Sequence, residues 1–156
     1  MYTYRWATEH ELPMIACFWQ RMACEMGKLD GIPIPDGERQ KEVQTFFEKE
    51  YTAKRLNFRV AINEEAEIVA CAGGLVRSEY AFPLSSEQTL FGWDVAVYTV
   101  EHCRRNGLAS RLVEDVCGWL KEQGAERARL WPSSSAAGMY GRLGFTRMIA
   151  MEKPLI

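Results

Sequence analysis

Several familiar signatures are missing from this chain, and each absence removes a class of chemistry. No apolar run approaches the length of a membrane span, and the N-terminal MYTYRWATEH carries no apolar signal segment, which predicts a cytoplasmic protein. The five cysteines (Cys17, Cys24, Cys71, Cys103 and Cys117) are scattered and nowhere form C-x-x-C. Only His10 and His102 accompany them, so no zinc-type spacing exists and no metal is expected. They read instead as small buried apolar residues in a reducing compartment. A net charge of -2 gives no footing for nucleic acid or an anionic membrane. There is no G-x-x-x-x-G-K-[ST] loop, no G-x-S-x-G elbow and no G-x-G-x-x-G fingerprint. Nucleotide hydrolysis, serine-ester chemistry and dinucleotide redox therefore lose their usual support. With no repeat or linker, and 47% hydrophobic residues, residues 1–156 read as one domain with an ordinary core.

The pattern that is present alternates between two periods. Tyr2 to Ala7 reads as a short strand, and Thr8-Glu9-His10-Glu11 has capping-box spacing before a helix to about Met26. Leu12, Ile15, Ala16, Trp19, Met22, Ala23 and Met26 share one helical face, read as core with a ligand groove as the alternative. After the loop GIPIPDG, a second helix runs to about Lys54. Phe58, Val60 and Ile62 then alternate, Asn63 to Glu67 turns, Ile68 to Val76 forms a strand interrupted at Gly73-Gly74, and Gln88 to Val100 another. Glu126 to Trp131 and Phe145 to Lys153 read as the last strands, with a short helix from Ser133 to Leu143 ended by Gly144. The expected order is β-α-α-β-β-β-α-β-α-β, an α/β (α+β) fold with a mixed, mostly antiparallel sheet and helices on both faces.

Between the fourth expected strand and the fifth lies CRRNGLASRLVEDVCGWL, Cys103 to Leu120. Leu108, Leu112, Val116 and Leu120 recur every fourth residue, which marks an amphipathic helix. Its first turn is basic and small, where an acidic one would suit the helix dipole. The first four N–H groups of a helix lack intrahelical partners, so a strand feeding it through a side-chain-poor turn makes a phosphate cradle. Gly107 and Ala109 keep side chains away, and Arg104 and Arg105 add cations. A bare turn with solvated arginines accounts for the same residues.

Arg104-Arg105-Asn106-Gly107-Leu108-Ala109 resembles the Q/R-x-x-G-x-G/A motif of the GNAT acetyltransferase superfamily, and SSSAAGMYGRLGF (Ser133 to Phe145) resembles its N-x-x-A-x-x-x-Y-x-x-x-G-F segment. Ala136, Tyr140, Gly144 and Phe145 match the second motif, while Ser133 stands where many members have asparagine. The resemblance implies acetyl-CoA as cosubstrate, with Arg104, Arg105, Asn106, Gly107, Leu108, Ala109 and Ser110 at the pyrophosphate. It implies backbone groups of Val97, Tyr98 and Thr99 along the pantetheine, with Ser133 and Ala136 nearby. The family splays its central strands beside that arm.

Acetyl transfer to an amine needs two proton transfers, because an ammonium of pKa about 10.4 must lose a proton and the leaving thiolate must gain one. The resemblance puts Tyr140 at the general-acid position. Asp94, the only carboxylate inside the strand leading to the cofactor, is the candidate base, with Glu25 and Glu101 as lesser options; Asp94 facing solvent or pairing with an arginine is the bland alternative. The expected activity is direct N-acetylation of a small-molecule or peptide amine. The rival from another class is a non-catalytic acyl-CoA binding or sensing module. A short or missing last hairpin leaves one side of the acceptor pocket open, or closed by a second subunit in a homodimer.

Overall fold

The computed structural model describes residues 1–80 and 86–156. Five strands form one sheet in sequence order: β1 (Thr3–Trp6), β2 (Leu56–Ile62), β3 (Ile68–Tyr80), β4 (Gln88–Thr99) and β5 (Ala128–Arg129). The first four pair antiparallel, and β5 joins β4 in parallel, so the mixed sheet expected from the pattern is borne out. Helices α1 (Leu12–Asp30) and α2 (Gly37–Thr52) cover one face, and α3 (Leu108–Glu122) with α4 (Ala137–Arg142) covers the other. Among the described residues no helix is long and apolar enough to cross a membrane.

Local chemistry explains the boundaries. Thr8 and Glu11 form the capping box around a short 3-10 turn, Glu9–Glu11, so α1 begins at Leu12 with Pro13 in its first turn, where no N–H is needed. It ends at Gly31, whose φ of 70° is the left-handed cap. The helix runs past Met26, and its apolar stripe divides. Leu12, Ile15 and Ala16 are core; Trp19 and Met22 pack against that core and, with Ala23 and Met26, also line a cleft, so both readings of the stripe have substance.

Two glycines let α3 lie flat on the sheet. A Cβ at Gly92 would stand 2.5 Å from the Leu120 side chain, and one at Gly74 would stand 2.9 Å from Val116. Gly73-Gly74 does not interrupt β3, which continues to Tyr80. The irregularity lies opposite, on β4. Cys71 pairs with Tyr98 but Gly73 with Val95, so Ala96 and Val97 share Ala72, and Ala96 takes a φ of 51°. This bulge re-aims the last turn of β4.

Two strand expectations need correction. Of Glu126 to Trp131 only Ala128–Arg129 enters the ladder, because the chain leaves β4 immediately afterwards. Phe145 to Lys153 is not a strand, so the tenth element of the expected order is absent among the described residues. Phe145 instead completes α4: its N–H donates to the Tyr140 carbonyl at 3.0 Å and its ring meets Tyr140 edge-on at 5.6 Å. With β5 offering only two paired residues, the apolar alternation beyond Phe145 has no ladder to join, and Ile149 and Met151 stand fully exposed.

Candidate active site

The β4–β5 ladder closes at Gly92↔Ala128 and Trp93↔Arg129 and then opens. From Asp94 to Thr99 the edge of β4 that faces away from β3 has no strand partner among the described residues, so backbone donors and acceptors face a gap. That gap is a cleft of about 1280 Å³, walled by β4, α1, the segment joining α1 to α2, the start of α3, and the stretch from Leu130 through α4.

At one end of the cleft, α3 begins. Gly107 is its N-cap at φ 72° and Arg105 also lies in the left-handed region at 65°. Two such residues within three positions turn the chain sharply and present successive N–H groups to one side. The first bond into the helix runs from Arg111 N–H to the Gly107 carbonyl at 3.1 Å, leaving the N–H groups of Leu108, Ala109 and Ser110 without acceptors among the described residues. No atom lies within 4 Å of where a Gly107 Cβ would stand, so the approach is open.

The two arginines differ. Arg104 is already spent. Its guanidinium makes bidentate contact with Glu25 of α1 at 2.8 and 2.9 Å, donates to the Thr99 carbonyl at 2.8 Å and lies over the Tyr98 ring. Arg105 is exposed and makes no hydrogen bond or ion pair among the described residues. Asn106 does not line the cleft; its amide donates to the Cys103 carbonyl at 2.9 Å and to that of Arg104 at 3.3 Å, holding the turn in shape. Val97, Tyr98, Thr99, Arg104, Arg105, Gly107, Leu108, Ala109, Ser110, Ser133 and Ala136 do line it, as do Asp94 and Tyr140.

Asp94 is the first β4 residue past the ladder, at the vertex of the opening. It is only 6% exposed, and neither carboxylate oxygen has a hydrogen-bond partner among the described residues. Burial without compensation pushes its pKa up to about 7. This settles the bland alternative: the side chain neither faces solvent nor pairs with an arginine. Tyr140, 7% exposed, is raised to about 12 by burial first and by the Asp94 charge second. Cys117, on α3, is likewise pushed to about 12 by burial and then by Asp94, which marks it as a thiol rather than a nucleophilic thiolate. Glu25 is occupied by Arg104, and Glu101 sits exposed in a 3-10 turn outside the cleft. Among the described residues no histidine, cysteine and carboxylate grouping is arranged to hold a metal ion.

Three contributors carried no sequence signal. The segment from Leu29 to Pro35 forms a wall of the cleft. Gln20 of α1 fastens it by donating to the Pro35 carbonyl at 2.7 Å, and Asp30 accepts from the Ser134 N–H across the mouth at 3.1 Å. Trp131, 74% exposed, stacks on Trp93 with centroids 6.2 Å apart and planes 13° from parallel.

A sheet that parts beside a helix N-terminus defines a class, the acetyltransferases of the GNAT type, as the motifs implied. Residues 23–145 match the model of the acetyltransferase (GNAT) family, and the chain belongs to that family. No curated protein matches the sequence. Among solved structures, a Clostridium acetobutylicum protein described as a predicted acetyltransferase with acetyl-CoA is similar at TM-score 0.83 and 21% identity, over 99% of this chain and 96% of its own. A GCN5-related N-acetyltransferase from Ralstonia eutropha gives TM-score 0.83 at 18% identity, covering 99% of each chain. Glucosamine-6-phosphate N-acetyltransferase from Arabidopsis thaliana gives 0.66 at 15%, over 100% of this chain and 99% of its own. At these identities the likeness is one of fold.

Proposed function

We propose that residues 1–156 act as one domain that moves an acetyl group from acetyl-CoA to an amine by direct attack on the thioester. One observation carries the reading: a buried carboxylate with no partner stands at the vertex of the same cleft that holds Tyr140 and the open N-terminus of α3. An uncompensated buried acid costs stability, and such costs concentrate where chemistry is done.

The residues present fit acetyl-CoA. The free N–H groups of Leu108, Ala109 and Ser110, with the Arg105 guanidinium, suit a pyrophosphate. The unpaired edge at Val97, Tyr98 and Thr99 suits the amides of a pantetheine arm, with Ser133 and Ala136 on the opposite wall. Arg104 serves by bracing the corner rather than by meeting phosphate. Acetyl-CoA supplies the activated acyl group; the protons are the protein's task.

Asp94 takes the proton from the attacking amine, directly or through water. An ammonium of pKa about 10.4 gives up its proton uphill by roughly 6.5 pH units to an ordinary aspartate, and by only about 3.4 to one at about 7. Tyr140 donates to the departing sulfur. Its raised pKa keeps the phenol protonated throughout the working range, but a phenol near 12 is a poor acid for a thiolate of about 8.5. Part of that elevation comes from the Asp94 charge. Once Asp94 has taken the amine proton the charge is gone, so Tyr140 becomes the better acid as the sulfur leaves. Base first, acid second.

The test pairs calorimetry of acetyl-CoA binding with free-thiol release across simple amines, polyamines, aminoglycosides, amino acids and peptides. Acetyl-CoA binding with amine-dependent thiol release is the expected result. Binding without release for every amine would leave an acyl-CoA binding module, and no binding would remove the reading altogether.

A further inference from the structure

The cleft is polarised along β4. Thr99 abuts the α3 corner, and Asp94 lies five residues back on the far side of the Ala96 bulge. At the Thr99 end the lining is backbone amide and arginine; beside Asp94, Trp131 stacks on Trp93, the residue before Asp94 in β4. Trp19, Met22 and Met26 of α1 and Ile32 and Ile34 of the fastened wall line the same cleft. Ile32, Ile34 and Trp131 are substantially exposed although they belong to no buried cluster, so they present apolar surface to the cleft mouth at a standing cost.

Several of the charges around the cleft are already matched. Arg129 is held by Glu79 and lies 4.2 Å over the Phe91 ring, while Glu79 also accepts from the Trp93 indole at 2.7 Å. Arg39 turns to Glu42, and Asp36 accepts from the Arg39 N–H at 2.9 Å as an N-cap. Asp30 accepts from Ser134 N–H. Among the described residues Asp94 is the buried carboxylate of the cleft with no partner, while Arg105 and Arg142 are exposed cations that line it without an ion pair. A wall of flat and flexible apolar side chains ending in one unpartnered carboxylate suits a cation on an apolar body. It offers few polar side chains for the hydroxyls of a sugar.

Resting on the acetyl-transfer reading of this cleft, we propose that the acceptor is a primary amine carried on an aromatic body, an arylalkylamine in chemical class, whose ring lies along Trp131 and the Ile32–Ile34 wall while its nitrogen is directed to Asp94. The bound ammonium first gives one proton to Asp94; the neutral amine then attacks, the N–C bond forms as the C–S bond breaks, the thiolate takes a proton from Tyr140, and the second nitrogen proton restores the Tyr140 phenol. The Asp94 proton passes to water, so that ammonium and thioester become amide, thiol and one released proton.

Phenethylamine, butylamine and glucosamine 6-phosphate are the discriminating probes. Phenethylamine should exceed butylamine in kcat/KM by about tenfold or more, the scale of one aromatic stacking contact plus ring burial, and should also exceed glucosamine 6-phosphate, which has no aromatic ring to stack. Trp131 is exposed enough for Trp131→Ala to fold. That variant should raise KM for phenethylamine about tenfold, leave the butylamine KM within about twofold, and leave acetyl-CoA affinity unchanged by calorimetry. Equal rates for phenethylamine and butylamine, or equal losses for both in Trp131→Ala, would overturn the aromatic assignment while acetyl transfer stood. If no amine releases thiol, the transfer reading fails on its own. Tryptophan fluorescence of the CoA-loaded protein then still decides the site: saturable quenching by phenethylamine, weakened in Trp131→Ala, upholds it, and no quenching overturns it.

Discussion

The two ends of the cleft are built by opposite means. At the α3 corner the working groups are backbone amides, aimed by two left-handed residues and braced by side chains whose own bonds are satisfied. At the vertex the working groups are side chains from β4 and α4, and the central one, Asp94, is left unsatisfied. The corner is stable as it stands, because an N-terminus open to solvent loses nothing by waiting for an anion. The vertex is not: burying a carboxyl away from water raises its pKa and withdraws stability from the fold. A binding site can be made from satisfied parts, whereas the proton-transfer site proposed here keeps a buried group without compensation.

Removing the acid at the vertex should have the largest effect. Tyr140→Phe keeps the ring and its edge-on contact with Phe145 and removes the proton donor. General acid catalysis is typically worth 10²–10⁴-fold, so turnover with a working amine should fall by about that much, with acetyl-CoA affinity by calorimetry nearly unchanged. A loss confined to affinity would make Tyr140 part of the binding end and erase the contrast.

Asp94→Asn should separate function from stability. The unfolded chain gives up this proton above about 3.9, and the folded protein keeps it until about 7. Folding stability from this group is therefore present below about pH 4, drains away as pH rises to about 7, and is flat above. The full cost is on the order of 4 kcal/mol. The variant should be the more heat-stable protein at pH 8, its Tm advantage opening between pH 4 and 7. Its turnover should be lower, without the acid limb near pH 7 expected of the wild type. Parallel Tm curves across that range would mean the carboxyl finds a partner in solution, and the base assignment would go with it.

At the corner the expected effect is on binding. Gly107→Ala places a Cβ in open space but at a left-handed φ, costing about 1 kcal/mol of stability and little affinity. Gly107→Glu adds the same strain and an anion facing the amides. Losing charge-assisted hydrogen bonds of about 1.5–3 kcal/mol should weaken acetyl-CoA roughly 10- to 150-fold. Equal affinities in the two variants would show that the phosphate docks elsewhere.

The corner was legible because backbone function constrains sequence locally. A strand end, a glycine and a small residue at fixed spacing must be contiguous to aim consecutive amides, so Arg104 to Ala109 announces itself. Asp94 was visible only as a carboxylate in a strand; its burial depends on α3 lying close over Gly74 and Gly92, which no local pattern states. Trp131 and the Leu29–Pro35 wall are brought to the cleft by the parting of β4 and β5, a tertiary event. The final strand failed for a related reason. Alternation from Phe145 onward looked like a strand, but a strand is made by its partner, and β5 supplies only two paired residues. Arg104 lies at the corner, but its guanidinium is held by Glu25, 79 positions away in sequence, a pairing no local pattern states.

That last difference yields the smallest and sharpest test. Arg104 and Arg105 are neighbours in sequence with the same charge, and only their side-chain partners distinguish them. Arg104 is anchored to Glu25 and to the Thr99 carbonyl, and Arg105 is not anchored. Arg104→Gln alone would free the Glu25 carboxylate beside the phosphate site, so it is combined with Glu25→Gln to keep the local charge constant. The double variant should hold acetyl-CoA within about twofold of wild type, because an exposed pair of this kind contributes about 1 kcal/mol or less, and to the corner's rigidity rather than to the ligand. Arg105→Gln should weaken acetyl-CoA about three- to tenfold at low ionic strength, with most of the difference gone near 1 M salt, where charges are screened beyond about 3 Å. Calorimetry at two salt concentrations reads both. If the double variant loses as much affinity as Arg105→Gln, Arg104 leaves Glu25 to meet the phosphate, and the corner is not a finished structure waiting for its ligand but one that rearranges around it.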